Sequence, residues 1–428
     1  MKSKKNKFFI QSPKGMHDVL PPDQPIWGKI RQLNREIAQS YNFSRIDTPI
    51  LELAQLFERP LGESSDVVEK QMFILKAKGG DRLALRPEGT AGVARSYIQN
   101  GLSHLAQPLK LYYEGPMFRY EQPQAGRLRQ FHQVGFEIIG SEDDSIYDAQ
   151  VILACFRLIE SLKIKNLNIQ INSIGCRSCR PIYRRKLLDY YKEKDKQNLA
   201  CPDCYRRLKI NPLRVLDCKK ESCRLLVKDA PIIIESLCSF CKKHFKAVLE
   251  YLEELALPYN LNHHLVRGFD YYNRTVFEIF SENFDSALAA GGRYDYLIEM
   301  LGGRPSAAVG GAVGLERLID IVKEQNINLG LKSKSKIFFI HIGELAKKKS
   351  LVIIENLLEA GLDVMESLGK ESLRSQLKVA DKFKSPLAVI FGQQEAFEES
   401  IIIRDMKTGA QETVPLAKVV QALKRRLK

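Results

Sequence analysis

Arginine and carboxylate side chains that could hold a nucleotide surround a short polar loop. Arg119 and Glu121 follow one apolar run, and Arg127 and Phe131 begin the next. A guanidinium group offers a planar fork to phosphate, and a carboxylate accepts a hydrogen bond from an amino group. One loop of this kind could hold both ends of a nucleotide. A set of solvated salt bridges is the alternative, and it is the usual reading of an isolated Arg-x-Glu.

The two runs that flank this loop have β character. Residues 110–120 and 129–139 are rich in apolar and aromatic side chains, and the loop between them contains Gln, Pro, Gly and Arg. This pattern predicts a β-hairpin. The hairpin would place the arginines on a rigid sheet beside carboxylates.

Two further stretches carry groups suited to a charged ligand. Glu88 and Thr90 lie two residues apart on a predicted turn, where both could accept from one ammonium group. Arg267 lies at a glycine bend, where it could stabilise charge developing on a phosphate or a carboxylate. Tyr271 and Tyr272 follow, and adjacent tyrosines are often core aromatics. An ordinary turn is the alternative for residues 86–90.

A small-residue strand at residues 307–314 leads into a helix whose first turn contains Arg317. Small side chains let a ligand approach the backbone, and this arginine could meet a terminal phosphate. A tight contact between helix and sheet is the alternative. The chain has no Gly-rich loop ending in Gly-Lys-Ser/Thr and no Gly-x-Gly-x-x-Gly after a strand. A nucleotide would therefore be held differently from the commonest nucleotide-binding folds.

Eight of the nine cysteines fall in four pairs that have metal-ligand spacing. Two such pairs can complete a tetrahedral Cys₄ site, so two structural zinc sites are expected. Iron–sulfur ligation and free thiols are the alternatives, and the sequence does not assign the pairing. The candidate ligands are Cys176, Cys179, Cys201, Cys204, Cys218, Cys223, Cys238 and Cys241. Cys155 lies on an apolar helical face and is expected in the core.

Size and charge indicate several domains and an anionic partner. The chain has 428 residues and a net charge of +15. Residues 176–246 contain 19 Lys and Arg against 8 Asp and Glu, so contact with a nucleic acid is expected there. No apolar run reaches the roughly twenty residues that cross a membrane, and the basic start lacks a signal peptide's apolar region. We therefore expect a cytoplasmic protein with no membrane role.

Helix and strand patterns alternate along the chain. They predict a domain over residues 1–330, interrupted by a Cys-rich basic insertion at 176–250, because residues suited to catalysis lie on both sides of the insertion. Residues 325–335 are rich in Lys and Ser and indicate a linker. Residues 331–428 then alternate strand and helix patterns, which predicts a small α/β domain.

Together these stretches resemble class II aminoacyl-tRNA synthetases and, among them, the histidyl-tRNA synthetase family of bacterial type. Residues 45–50 (Arg-Ile-Asp-Thr-Pro-Ile) are similar to the first class motif, the hairpin to the second, and residues 313–317 (Val-Gly-Leu-Glu-Arg) to the third. Residues 267–272 (Arg-Gly-Phe-Asp-Tyr-Tyr) resemble a signature of the histidine enzymes. The resemblance covers nearly the whole chain. It implies an α+β fold, with an antiparallel catalytic sheet flanked by helices and a C-terminal anticodon-binding domain.

The resemblance also implies a role for each site residue. Histidine would be held by Glu88, Thr90, Gln133, Glu137, Tyr271 and Tyr272. Its ammonium group would bind to Glu88, Thr90 and Gln133. ATP would be held by Arg119, Glu121, Arg127, Phe131 and Arg317. Arg267 and Arg119 would act on the reacting carboxylate and the α-phosphate.

The implied reaction is ATP-dependent ligation of L-histidine to the 3′ end of histidine tRNA, through a histidyl-adenylate. ATP with Mg²⁺ is then a substrate, AMP and pyrophosphate are released, and the enzyme is a homodimer. One rival is a non-catalytic paralogue that regulates histidine biosynthesis, but such proteins lack the C-terminal domain and the signature around Arg267. A tRNA-binding sensor without chemistry is a second rival. The intact Glu88, Arg119, Glu137 and Arg317 disfavour it.

Overall fold

The computed structural model describes residues 9–61, 67–124, 126–194, 200–282, 284–330 and 337–427. The chain divides into two compact units, Met1–Leu329 and Gly330–Lys428. The basic start of the chain and residues 331–335 of the predicted linker lie outside the described residues. In the described part of the chain, no helix has the length and apolar character that a membrane crossing needs.

The described part of the first unit has eleven strands. They are β1 (Ser44–Arg45), β2 (Leu51–Leu53), β3 (Ile74–Lys76), β4 (Arg82–Leu85), β5 (Leu109–Phe118), β6 (Gln130–Ser141), β7 (Leu167–Ser173), β8 (Tyr259–Leu261), β9 (Asn273–Ser281), β10 (Ala289–Arg293) and β11 (Ala307–Gly314). Eight form the main sheet, in the order β1-β5-β6-β11-β10-β9-β7-β8, and β2-β4-β3 form a small second sheet. In the main sheet only the edge pairs β1–β5 and β7–β8 are parallel. The antiparallel catalytic sheet expected from the sequence is confirmed.

The hairpin of β5 and β6 is the longest antiparallel pair of this sheet. Its register runs from Leu109 opposite Ile139 to Phe118 opposite Gln130, so residues 119–129 form the connecting loop. Strand β6 also pairs with β11, which places Glu137 opposite Gly310. Residues far apart in the sequence thus meet on one sheet.

Helices cover the sheet and carry most of the core. The described helices of this unit outside the Cys-rich segment are α1 (Gln24–Ser40), α2 (Gln55–Leu61), α3 (Thr90–Gln99), α4 (Ile146–Ser161), α9 (Leu297–Met300) and α10 (Leu315–Glu324), together with a π-helical turn at Val67–Gln71. Helix α4 buries Val151, Ile152, Cys155 and Ile159 against the sheet, so Cys155 is a core residue as expected. Its apolar face matches the spacing in the sequence.

All the secondary structure in the described residues of the Cys-rich segment is helical. It contains α5 (Cys179–Lys194), α6 (Pro202–Ile210), α7 (Glu221–Lys228) and α8 (Ser239–Glu254), with short 3₁₀ turns between them. The segment leaves the sheet after β7 and returns at β8, and β8 pairs with β7. It is therefore inserted between two neighbouring strands.

The second unit is a mixed sheet with helices. Its described strands are β12 (Ile337–His341), β13 (Val364–Glu366), β14 (Leu387–Phe391), β15 (Ser400–Asp405) and β16 (Gln411–Pro415), in the order β13-β12-β14-β15-β16. Its described helices are α11 (Glu344–Glu359), α12 (Leu373–Lys382), α13 (Gln393–Glu398) and α14 (Val419–Arg426). Strands β12 and β14 are buried along their whole length, as their continuous apolar sequences require.

A buried cluster of ion pairs joins the main sheet to α4. The fully buried guanidinium of Arg293 on β10 bonds to Asp143 (3.1 Å), Asp295 (3.2 Å) and Asp148, and Asp148 is itself fully buried on α4. Burial lowers the pKa of Arg293, but these three carboxylates raise it above its ordinary value. Tyr294 follows directly and donates a hydrogen bond to Glu137, beneath the cavity described below, so this cluster fixes the chain that supports that bond.

Removing the cation should destabilise the first unit. We expect Arg293→Met to lower the free energy of unfolding by about 3–5 kcal/mol, because Asp148 would stay buried without its partner. Denaturant unfolding followed by Trp27 fluorescence measures this, since Trp27 is the only tryptophan and is buried in this unit.

Arg157→Met on α4 is the matched control. Arg157 pairs with Glu160 on the surface, where such a pair contributes at most about 1 kcal/mol. Equal small losses in the two variants would contradict the role given to the buried cluster.

Candidate active site

A cavity of about 510 Å³ opens above the centre of the main sheet. The hairpin, the turn before α3, the bend before β9 and the start of α10 all contribute side chains to its wall. Of the twelve residues named as histidine- or ATP-binding or catalytic, eleven line this cavity: Glu88, Thr90, Arg119, Glu121, Arg127, Phe131, Gln133, Arg267, Tyr271, Tyr272 and Arg317. Residues drawn from four distant stretches of the chain therefore surround one space.

Glu88 is held rigidly at the start of α3. Its carboxylate accepts hydrogen bonds from the backbone N–H groups of Thr90 (2.6 Å) and Ala91 (2.8 Å), which have no partner within the helix. Burial raises the pKa of Glu88, while these bonds and the nearby Arg119 act in the opposite direction. The capping bonds fix the carboxylate at the cavity wall.

Glu137 is the twelfth residue, and it lies beneath the cavity wall. Its Oε1 accepts from the hydroxyl of Thr90 (2.7 Å) and its Oε2 from the hydroxyl of Tyr294 (2.6 Å). Burial raises the pKa of Glu137 to about 8. The carboxylate packs on Gly310 of β11, where an added Cβ would stand 1.6 Å from Oε2. Only glycine leaves room for this side chain.

Arg119 lies between two aromatic rings at the end of β5. Its guanidinium is 5.1 Å from the ring centre of Phe131 and 5.6 Å from that of Phe269, and its Nε donates to the carbonyl of Pro87 (2.9 Å). Burial lowers the pKa of Arg119, and the charge of Arg267 lowers it further. A bound anion would relieve both effects.

Arg267 and Arg317 add two further positive charges to the cavity wall. Arg267 pairs with Glu278 of β9. Burial lowers the pKa of Arg267, but Glu278 and the nearby Tyr272, Tyr271 and Asp217 together raise it above its ordinary value. Arg317 donates to the carbonyls of Ala287 (2.6 Å) and Gly126 (3.2 Å). Burial, then repulsion from Arg119, lowers the pKa of Arg317.

Two polar groups of the hairpin face the same space. Arg127 lies 3.8 Å from Glu121, at the limit of an ion pair. The Oε1 atom of Gln133 is buried and has no hydrogen-bond partner among the described residues. Such an atom needs a donor, and a ligand can supply one.

Several residues of the site escaped sequence reasoning. His17, Tyr113, Gln124, Phe269 and Glu316 also line the cavity. The Tyr113 ring fills the space that side chains at residues 89 and 135 would otherwise take, since a Cβ there would stand 2.3 Å and 2.2 Å from it. No local pattern reveals this fit, because the three residues lie on different elements.

The eight paired cysteines form two separate groups. Cys176, Cys179, Cys238 and Cys241 make one and Cys201, Cys204, Cys218 and Cys223 the other, and the sulfur atoms of each group lie within 4.8 Å of one another. The Sγ atoms of Cys176 and Cys179 are 3.6 Å apart, and those of Cys201 and Cys218 are 3.9 Å apart. Four ligands about 2.3 Å from a tetrahedral zinc ion would stand roughly 3.8 Å apart. Both groups therefore fit a Cys₄ zinc site.

Known proteins match this chain along almost its whole length. Residues 15–318 match the family model for histidyl-tRNA synthetase, and residues 336–426 match an anticodon binding domain. The histidine–tRNA ligase of Dehalococcoides mccartyi strain 195 is 42% identical over 421 residues, which cover 98% of this chain and 100% of that one. The ligase of Aquifex aeolicus is 43% identical over 410 residues, covering 96% and 100%. The solved structure of apo S. aureus histidyl-tRNA synthetase matches with a TM-score of 0.80 at 33% identity, covering 97% and 100%.

The raised pKa of Glu137 predicts how stability depends on pH. The folded state keeps a proton up to about pH 8, whereas the unfolded carboxyl releases it near its ordinary value of 4.5. Between these values the folded state binds more protons, so the free energy of unfolding falls as pH rises. We expect the wild type to lose stability relative to Glu137→Gln between about pH 5 and pH 8. Parallel stability curves for the two proteins in denaturant titrations at successive pH values would contradict this account.

Proposed function

This chain belongs to the histidyl-tRNA synthetase family, and from that premise we propose how its cavity carries out the family's reaction. It is an aminoacyl-tRNA synthetase of class II fold that charges histidine tRNA with histidine in an ATP-dependent reaction. Its second unit contains an anticodon-binding domain. The roles of individual residues, the zinc sites, the dimer and the cell compartment are our proposals.

The amino acid binds beside the start of α3. The ammonium group of histidine donates to Glu88, Thr90 and Gln133. The buried Oε1 of Gln133, which has no partner among the described residues, supports this assignment because an ammonium group supplies the missing donor. Glu88 supports it too, since its carboxylate stays at the wall through its backbone bonds.

The imidazole ring lies between Tyr272 and the floor formed by Glu137, with Tyr271 beside it. Imidazole has one donor and one acceptor nitrogen, so a carboxyl group and a phenol suit its two sides. The hydroxyl of Thr90 covers Oε1 of Glu137 from the cavity side. A small shift of this hydroxyl would give the ring access to the carboxyl group.

ATP lies along the hairpin and α10. Glu121 accepts from the adenine amino group, and Phe131 contacts the adenine face. Arg119 binds the α-phosphate, and Arg127 and Arg317 bind the outer phosphates. The lowered pKa values of Arg119 and Arg317 support this arrangement, because phosphate would offset the burial and repulsion that lower them.

The chemistry needs position and charge but no protein nucleophile. The histidine carboxylate attacks the α-phosphorus in line, pyrophosphate leaves, and the terminal ribose of tRNA then takes the acyl group and releases AMP. Mg²⁺ enters with ATP as part of the substrate. Arg267 bridges the attacking carboxylate and the α-phosphate, where negative charge develops. The observation that carries the proposal is that Glu88, Arg119, Arg267 and Arg317 line a single cavity.

Loss of the Arg267 guanidinium should therefore abolish most adenylate formation. We expect Arg267→Ala to lower the rate of histidine-dependent ATP–pyrophosphate exchange by about 10²–10³-fold, as for loss of a transition-state charge partner. Arg304→Ala removes the same group from the exposed surface and should leave exchange unchanged. Exchange at the wild-type rate in a folded Arg267→Ala protein would contradict the assignment.

We propose that each cysteine group holds one structural zinc ion. When bound, zinc would cross-link separate helices of the insertion. The first group joins the start of α5 to the start of α8, and the second joins α6 to α7. The donor set of four thiolates and the spacing of the sulfur atoms support zinc over harder ions.

Metal analysis tests both zinc sites. Protein purified without chelator should contain about two zinc ions per chain, and Cys204→Ser should contain about one, because a site that loses a thiolate binds zinc far more weakly. Cys155→Ser is the control and should keep both ions, since Cys155 lies in the core outside both groups. Well under one zinc ion in the wild type would count against both sites.

We further propose that the enzyme is a homodimer and works in the cytoplasm, where its tRNA substrate is made. An apolar surface on the small β2-β4-β3 sheet supports the dimer, since Ile50, Leu51, Leu53, Ile74 and Leu75 are each more than 40% exposed there. A monomer rarely leaves so many large apolar side chains together in solvent. The insertion at residues 176–250 faces the tRNA acceptor arm, as its excess of positive charge suggests.

A further inference from the structure

A second recess, of about 420 Å³, lies where the inserted helices meet the bend before β9. Its charged lining consists of Arg177, Arg180, Arg184, Arg214 and Arg267 with the carboxylate of Asp270. None of the first four has a part in the mechanism above. So many guanidinium groups around one small space favour an anionic occupant.

This recess adjoins the active site on one side and a basic surface on the other. Arg267 and Phe269 line both the recess and the active-site cavity. Arg214 also lines a smaller hollow on α6 that contains Arg206 and Arg207. Shared lining residues thus place the three spaces in a row, which we call the basic track, from the insertion to the active-site cavity.

The positive charge in the middle of this track is largely retained. Arg180 donates to the carbonyls of Tyr272 and Ile174, and Arg184 donates to the carbonyl of Ile210 (2.8 Å). Carbonyl oxygens satisfy guanidinium N–H groups without cancelling their charge. By contrast, Arg177 and Arg267 are paired with carboxylates.

Even with the partners of these two arginines included, five guanidinium groups face three carboxylates, so the track stays basic. Glu299 lies 2.9 Å from Arg177, and Glu278 bonds to Arg267. Asp270 accepts a hydrogen bond from the amide of Asn211 (2.8 Å).

We propose that the single-stranded 3′ end of the tRNA lies along this track, with its phosphates on Arg184, Arg180 and Arg214. The proposal rests on the function given above, in which the terminal ribose must reach the histidyl group beside Arg267. Phe269 stands between the two cavities, where a terminal base can stack on its ring. A chain of phosphates matches a row of arginines better than a single free anion does, because several charges are neutralised together.

Binding measurements with two tRNAs and two protein variants test this path. Arg184→Gln removes a cation of the track, and Arg185→Gln removes the neighbouring exposed cation of α5, which does not line the recess. Each protein is titrated with intact histidine tRNA and with the same tRNA lacking its single-stranded 3′ end.

We expect Arg184→Gln to weaken binding of intact tRNA about fivefold at about 0.1 M salt, the effect of one lost phosphate contact on a single strand. Binding of the shortened tRNA should not change in this variant, and Arg185→Gln should bind both tRNAs as the wild type does. An equal loss with both tRNAs, or the same loss in both variants, would overturn the path.

A separate measurement distinguishes this path from the function on which it rests. Histidine-dependent ATP–pyrophosphate exchange uses no tRNA and reports on the active site alone. Exchange in the wild type, together with equal losses for both tRNAs, would reject the path and keep the ligase function. A wild type without exchange would instead reject the proposed chemistry.

Discussion

The contact between the Glu137 carboxylate and the backbone of Gly310 is the constraint on which the site depends. Strands β6 and β11 pair so that these two residues face each other, and any side chain at residue 310 would displace the carboxylate. The hydroxyl groups of Thr90 and Tyr294 then bond to the two oxygens of Glu137. These two bonds connect strand β6 of the hairpin to the start of α3 and to the chain after β10. The ion pairs of Arg293 hold that chain in place.

Above this floor the site holds charges that are incompletely neutralised. Arg119 and Arg317 bond to backbone carbonyls, and their pKa values are lowered by burial and by neighbouring cations. A bound phosphate group would stabilise the charged form of each arginine. Nucleotide binding would therefore offset the unfavourable burial and repulsion of these two charges. Arg267 differs, because Glu278 holds it in one orientation, and the proposed reaction puts developing charge beside it. Pre-oriented charge of this kind lowers a reaction barrier without a reorganisation cost.

Part of this arrangement follows from the sequence. The turn residues predict the hairpin, and the family resemblance supplies the twelve catalytic, histidine- and ATP-binding candidates, of which eleven line one cavity. Contacts between distant elements could not be foreseen. The pairing of Cys176 and Cys179 with Cys238 and Cys241 depends on α5 and α8 folding back together, and the fit of Tyr113 depends on glycines of two other elements. The helices of the insertion were missed because thiols and charged residues obscure their apolar periodicity.

A crystal structure with a stable sulfamoyl analogue of histidyl-adenylate tests the central claim most directly. We expect the imidazole between Tyr272 and Glu137, the sulfamoyl group within hydrogen-bonding distance of both Arg119 and Arg267, and the adenine on Phe131 beside Glu121. An analogue bound with its sulfamoyl group away from both arginines, or outside this cavity, would contradict the account.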